Sequence, residues 1–133
     1  MELKCVVVTP EKTVLDQAAE SITLPLYDGE YGIEWNHTPL IGRLGAGLLR
    51  LRKGDRVDAY YVSGGFVEVL ANTVSLMTAR AIPAAEITLA KADAAMVEAK
   101  AKPGKSVQEM EIRDQAMREA RAMLRIANRK HSS

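Results

Sequence analysis

Asp28, Glu30, Glu34 and His37 fall within ten consecutive residues of a 133-residue chain. Paired carboxylates can divide acid and base work, and carboxylates with an imidazole can ligate a metal. The surrounding stretch, "YDGEYGIEWNHTPLIGRLGAG" from Tyr27 to Gly47, adds a tryptophan and five glycines. Residue types alone therefore admit a hydrolase built around Asp28–His37. The spacing argues against it. "DGEYG" is turn chemistry, with Gly29 and Gly32 able to take positive φ, which leaves Glu30 and Glu34 on a short strand or its ends, facing water. The other histidine, His131, is far away in sequence, and no nucleophile elbow, HExxH or paired-ligand motif occurs. No catalytic residue, metal ligand or cofactor is assigned.

The remaining polar motifs reduce in the same way. "VSGGF" (Val62 to Phe66) and "GRLGAG" (Gly42 to Gly47) are glycine-rich, but neither is followed by GK[ST] or opens a helix, so neither is a phosphate loop. Ser63-Gly64-Gly65 reads as a tight turn or bulge between strands. Cys5 alternates with apolar neighbours in "LKCVVV" and reads as a small core residue; a single cysteine makes no internal disulfide.

The elements that must position these residues change character near Pro83. Up to residue 82 short strand-like runs alternate with turn signals about every ten residues, the pattern of a sandwich or barrel. "GLLRLRKGDRVDAYYV" reads as a hairpin turning at "KGD", and "FVEVLANTVSLMTA" as a second turning at "AN". Strands apolar on one face require two stacked layers. From Ala84 the period becomes helical. "AEITLAKADAAMVEAKA" and "SVQEMEIRDQAMREARAMLRIANRK" read as two antiparallel helices joined by "KPGK", with Ser106 and Glu109 forming a capping box. Ile112, Ala116, Ala120, Met123 and Ala127 make an apolar stripe on the second. The fold class is thus α+β: a β-sandwich domain over residues 1–84, then a helix-loop-helix domain over 85–133.

Charge divides at the same place. Residues 1–85 hold eight Lys/Arg and ten Asp/Glu, and residues 86–133 hold ten and seven, giving −2 and +3. Arg118, Arg121, Arg125 and Arg129 form a basic stripe along the last helix, continued by Lys130, suited to an acidic partner or an anionic ligand. Net charge near zero, with no aromatics among these cations, argues against nucleic acid. Twelve alanines between Ala84 and Ala127 give the hairpin a small-residue seam. A buried methyl contributes roughly 0.8 kcal/mol, so the hairpin is expected to be stable only when docked and to undock at modest cost. No apolar run of eighteen residues occurs, and no leader is expected ahead of the first strand-like segment. Membrane association is expected only through partners.

Taken in order and spacing, "VVTPEKTVLD", "GEYGIEWNHTPLIGRLGAGLLRL" and "YYVSGGFVEVLANTVSLMTARAI", followed by a helical hairpin, closely resemble the epsilon subunit of F-type ATP synthases. The resemblance spans essentially the whole chain. It implies a sandwich of about ten strands, then two helices, in a non-catalytic subunit of the rotating central stalk that helps couple proton flow to ATP synthesis. It implies binding to the gamma subunit and the c-ring. It also implies a mobile hairpin that inhibits ATP hydrolysis when extended toward the alpha and beta subunits of the catalytic head. Glu30 matches a c-ring contact. His37 matches a gamma-facing histidine, and Trp35 stands where the family has proline, at the same gamma-facing edge. Some relatives bind ATP between the hairpin helices through an "I/L-D-x-x-R-A" motif. Here Thr88 replaces the Asp and Lys91 the Arg, while Arg125 and Arg129 match second-helix arginines, so Lys91, Arg125 and Arg129 make at most a weak nucleotide site. The implied location is peripheral, on the cytoplasmic face of the bacterial plasma membrane or the stromal face of the plastid thylakoid. The alternative reading is a stand-alone β-sandwich module with a ligand-sensing hairpin.

Overall fold

A computed structural model describes residues 1–131 of the chain, Lys130 and His131 by backbone alone. The side chain of Lys130, counted above with the basic stripe, and the expected domain end at residue 133 lie outside the described residues. Two compact units divide between Pro83 and Ala84.

The first unit contains eight strands: β1 (Leu3–Val8), β2 (Thr13–Ala19), β3 (Ser21–Leu26), β4 (Gly29–Glu34), β5 (Leu40–Lys53), β6 (Arg56–Leu70), β7 (Thr73–Met77) and β8 (Ala81–Pro83). They pair in the order β2-β1-β7-β6-β5-β3-β4, with β8 on β6. All neighbours are antiparallel except β1 and β7, where Lys4 through Val8 run parallel to Thr73 through Met77. The number is eight rather than about ten because β5 and β6 are long. "LIGRL" runs through Gly45-Ala46 into "GLLRLRK" as one 14-residue strand, and "RVDAYYV" continues through Ser63-Gly64-Gly65 into "FVEVL" as one 15-residue strand. Gly64 and Gly65 hold φ of +108° and +116°, so they bend a continuous strand and do not end it. Each half of β6 then has its own neighbour: Tyr60–Val62 pair with β8, and Phe66–Leu70 with β7.

Alternation builds the core. Leu3, Cys5 and Val7 of β1, Ile22 and Leu24 of β3, Leu49 and Leu51 of β5, Val67 and Val69 of β6, and Val74 and Leu76 of β7 are all buried in one cluster. A fully buried aliphatic of this size contributes about 1.5–3 kcal/mol. Pro25 lies inside β3, where its missing N–H would break a ladder, and the β3–β5 register shifts between Thr23 and Leu26. Gly47 of β5 makes room for it: a Cβ there would stand 2.9 Å from the Pro25 ring. Gly29 takes φ +135° at the β3–β4 turn as expected, whereas Gly32 is an ordinary strand residue and uses no positive φ.

In the second unit a 3₁₀ turn (Ala84–Glu86) precedes α1 (Leu89–Ala101), and α2 spans Val107–His131. α1 starts later than its helical composition suggests because Thr88 takes an extended conformation and its hydroxyl accepts from the Lys91 N–H, the geometry of an N-cap. The capping box at α2 is formed: the Ser106 hydroxyl accepts from the Glu109 N–H at 3.1 Å, and the Glu109 carboxylate accepts from the Ser106 N–H at 3.2 Å. α1 buries only Ala92 and Ala99, two turns apart, confirming the small-residue seam. On α2 the stripe is buried at Ala120, Met123 and Ala127, but Ile112 is 61% exposed. Periodicity placed Ile112 on the right face; it does not report where along the helix that face is covered.

Candidate functional site

The carboxylates and histidine of the opening stretch do not converge. Glu30, on β4, is bound by Arg50 of β5, whose Nη2 donates to Oε2 at 2.6 Å across the intervening strand β3. His37 is occupied separately. Its Nδ1 contacts the Thr38 carbonyl at 2.6 Å, and its Nε2 contacts the Tyr31 hydroxyl at 2.8 Å. A carbonyl only accepts, so Nδ1 carries a proton, and in the neutral ring Nε2 then accepts from the phenol. The rings meet edge to face at 5.5 Å. Among the described residues no group of three His, Cys, Asp or Glu side chains is arranged to hold a metal.

Trp35 has a clear backbone role. The His37 N–H donates to the Glu34 carbonyl at 3.2 Å, and Asn36 holds φ +62°, so Glu34–His37 is a turn with Asn36 at its left-handed third position. Trp35 takes the second position, where proline is favoured in such turns. Replacing the proline the resemblance anticipates therefore keeps the turn and adds an aromatic, 39% exposed. Asn36 also anchors the turn: its N–H donates to the Asn72 side-chain oxygen at 2.7 Å, and the Asn72 amide returns a bond to Asn36 at 3.4 Å. Asn72 lies in the β6–β7 turn, so the loop carrying Trp35 and His37 is clasped to the end of that hairpin.

That hairpin leads to a surface that residue-type reasoning missed. Val8, Met77, Phe66 and Arg43 are cross-strand neighbours along β1-β7-β6-β5, all outward-facing. Met77 and Phe66 are 58% and 57% exposed, and Ile41 of the adjoining row is 79% exposed. Leu70 extends the apolar area toward Asn72. A shallow groove of about 420 Å³, lined by Val8, Thr9, Pro10, Gly65, Met77, Thr78 and Ala79, borders the row. The signal was present in the sequence: "CVVV" and "FVEVL" carry apolar residues at both strand parities, so these strands are apolar on both faces. Glu68 separates Leu70 from Phe66 on this face, and the exposed row Val8–Met77–Phe66 is a candidate interaction site.

On α2, Arg118, Arg121, Arg125 and Arg129 follow steps of three and four along one uninterrupted helix, which sets them in a stripe. Arg118 is also bonded to Gln115, by Nε at 3.3 Å and Nη2 at 2.9 Å. Lys91 is in the first turn of α1. Antiparallel helices rising about 1.5 Å per residue from the 102–106 connection bring Lys91 level with Arg118, and Arg125 lies about two turns beyond. Among the described residues no helix is long and apolar enough to cross a membrane.

Taken together, these features define a class: a small adaptor chain with a rigid β-sandwich presenting an apolar face and a clasped rim, followed by an alanine-seamed hairpin carrying a basic stripe. Residues 2–84 match the family model described as the beta-sandwich domain of the ATP synthase delta/epsilon chain. The chain is 42% identical over 125 residues to the ATP synthase epsilon chain of Rhodopirellula baltica, covering 94% of this chain and 98% of that one. It is 36% identical over 129 residues to the epsilon chain of Francisella tularensis, covering 95% and 89%. A chain of the Euglena gracilis mitochondrial ATP synthase is similar in structure, with a TM-score of 0.78 at 25% identity over 92% of this chain and 79% of that one. A chain of the Tetrahymena thermophila mitochondrial ATP synthase central stalk and c-ring shares the fold, with a TM-score of 0.75 at 15% identity over 96% and 97%. The chain belongs to the ATP synthase epsilon chain family. By that membership it is a subunit of ATP synthase.

Proposed function

We propose that the sandwich docks the gamma subunit through the Val8–Met77–Phe66 row, Ile41 and Leu70, with Trp35 and His37 at the rim of the same contact. The observation that carries this reading is the apolar row itself, on a domain whose core is already complete without it. The Asn36–Asn72 clasp supports including Trp35 and His37, because it holds their turn against the end of the β6–β7 hairpin. Glu30 meets the c-ring from the outer side of the β4-β3-β5 strands, its carboxylate steadied by Arg50. The subunit stays peripheral, on the cytoplasmic face of a bacterial membrane, and reaches lipid only through the complex.

The hairpin inhibits ATP hydrolysis when it extends toward the alpha and beta subunits, presenting Arg118, Arg121, Arg125 and Arg129 to acidic residues there. The small buried side chains of α1, Ala92 and Ala99, support easy undocking, since they contribute little per residue. Nucleotide plays at most a weak part through Lys91, Arg125 and Arg129, because Lys91 lies nearer the level of Arg118. Deletion of residues 106–133 tests the hairpin role. The truncated subunit should still assemble and couple, and the complex should hydrolyse ATP faster. An unchanged hydrolysis rate in a correctly assembled complex refutes the inhibitory role.

A further inference from the structure

Arg43 stands at the end of the apolar row, and its surroundings differ from those of the other arginines of β5 and β6. Arg50 pairs with Glu30, Arg52 with Glu20 and Arg56 with Asp58. Among the described residues no carboxylate lies within ion-pair distance of Arg43. Its guanidinium instead lies 4.0 Å from the centre of the Tyr27 ring. Tyr27 is itself fixed, its N–H donating to the Arg43 carbonyl at 2.8 Å. The outward face has a carboxylate of its own, Glu68, but it stands in the next row opposite Ile41 and does not bond Arg43. Arg43 is thus exposed, directly opposite Phe66 across β5 and β6, and held on an aromatic face, its guanidinium making no hydrogen bond or ion pair among the described residues.

Such an arrangement suits recognition. A guanidinium stacked on a ring loses little freedom on binding, because the ring already restricts it, and stacking leaves its in-plane N–H fork available. Apolar side chains adjoining it would exclude water, which strengthens a charge-assisted bond made there. We infer that Arg43, held by Tyr27, is the specificity-determining end of the docking row. Its partner segment presents apolar side chains to Val8, Met77 and Phe66 and a carboxylate to Arg43. The inference rests on the reading that this face docks gamma, and it adds a charge requirement that the apolar row alone does not have.

Calorimetric titration of the full-length chain into the purified gamma subunit, at about 50 and 300 mM salt, tests it. Arg43→Met, which keeps the stem and removes the charge, should weaken binding by roughly thirty-fold at low salt and flatten the salt dependence. Arg43→Lys should recover part of the loss. Tyr27→Leu, which frees the guanidinium but leaves its charge, should weaken binding less and keep the salt dependence. Phe66→Asp probes the row itself and should abolish binding. All three positions are on the surface, and thermal melts verify that each of the four variants folds. Wild-type affinity and salt dependence in Arg43→Met, with binding lost in Phe66→Asp, overturns the role of Arg43 and leaves the docking face standing. Wild-type affinity in Phe66→Asp overturns both. So does a chain that self-associates, or binds the c-ring, through this row while its affinity for gamma ignores these substitutions.

Discussion

Gly65→Ala should be among the most damaging single methyl additions this chain can receive. Gly65 is at the bend of β6 with φ +116°, a region that costs a side-chain-bearing residue about 1–3 kcal/mol. A Cβ built there would stand 2.0 Å from the Met77 carbonyl oxygen, and 3.0 Å from both the Met77 carbonyl carbon and the Thr78 Cα. These are all backbone atoms, so no rotamer change relieves the clash. Strand β7 must move away from β6, straining the ladder that begins at Phe66↔Met77 and the parallel pairing of Met77 with Val8. Losing one or two ladder bonds adds roughly 1 kcal/mol each, so a total of about 3–5 kcal/mol is expected. Urea unfolding of the full chain, followed by far-ultraviolet circular dichroism, measures it. Gly32→Ala is the matched control: nothing lies within 4 Å of its Cβ, and its backbone is extended. That variant should fall within about 0.5 kcal/mol of the parent. A Gly65→Ala chain within about 1 kcal/mol of wild type would refute the reasoning. If folded Gly65→Ala is recovered, it should also bind gamma poorly, because the strand that must move carries Met77.

Three further outcomes follow from local geometry. Ala71 holds φ +49° and Asn72 φ +63° in a two-residue turn between Leu70 and Thr73, where a primed turn favours Asn or Gly at the first position; Ala71→Gly should stabilise the chain by about 0.5–1 kcal/mol, read as a raised melting temperature. Burial pushes the Cys5 thiol up to about 12, with the Asp16 charge adding to the effect, so a thiol reagent at pH 8 should label it only on unfolding, and fast native labelling would contradict the buried placement. The bond from the Gln17 amide to the Asp58 carboxylate at 2.7 Å, with Arg56 assisting, holds that carboxyl below the usual carboxylate range. A depressed acid contributes stability above its unfolded pKa near about 3.9 and loses it as pH falls through the lower folded value, so Asp58→Asn should flatten the acid limb of the stability curve and Asp58→Glu should not.

The hairpins at Gly54-Asp55 and Ala71-Asn72, the break near Pro83 and both helices are legible in the sequence, because each depends on local turn chemistry or a period that persists for many residues. The continuity of β5 and β6 is not. Glycine pairs read as ends of strands, and only the cross-strand register tells a bend from a turn. The rim residues were picked out by type, but their partners were not predictable: Arg50 reaches Glu30 from twenty residues away, and Asn72 reaches Asn36 from thirty-six. The apolar row needed topology as well, since Val8, Met77, Phe66 and Arg43 become neighbours only once β1 pairs with β7. Arg43 on Tyr27 left no signal at all, because a stacked arginine looks like any other surface cation in one dimension.

The parallel pairing of β1 with β7 has a consequence for the order of events as the chain is made. Every other strand pairing of β1 and β2 is with each other, so until Thr73–Met77 exists this two-stranded piece is tied to β5 and β6 only by isolated bonds such as Gln17 to Asp58 and the Glu20 N–H to the Arg52 carbonyl. A two-stranded hairpin alone is marginal in water. Leu3, Cys5 and Val7, made before the rest of the sandwich, therefore complete their burial only once β7 has appeared. Contacts this distant in sequence slow folding, because the intervening loop must close first. During that interval the edges of the incompletely seated hairpin are open to pairing with another chain, which makes crowding by nascent copies a hazard in producing this subunit.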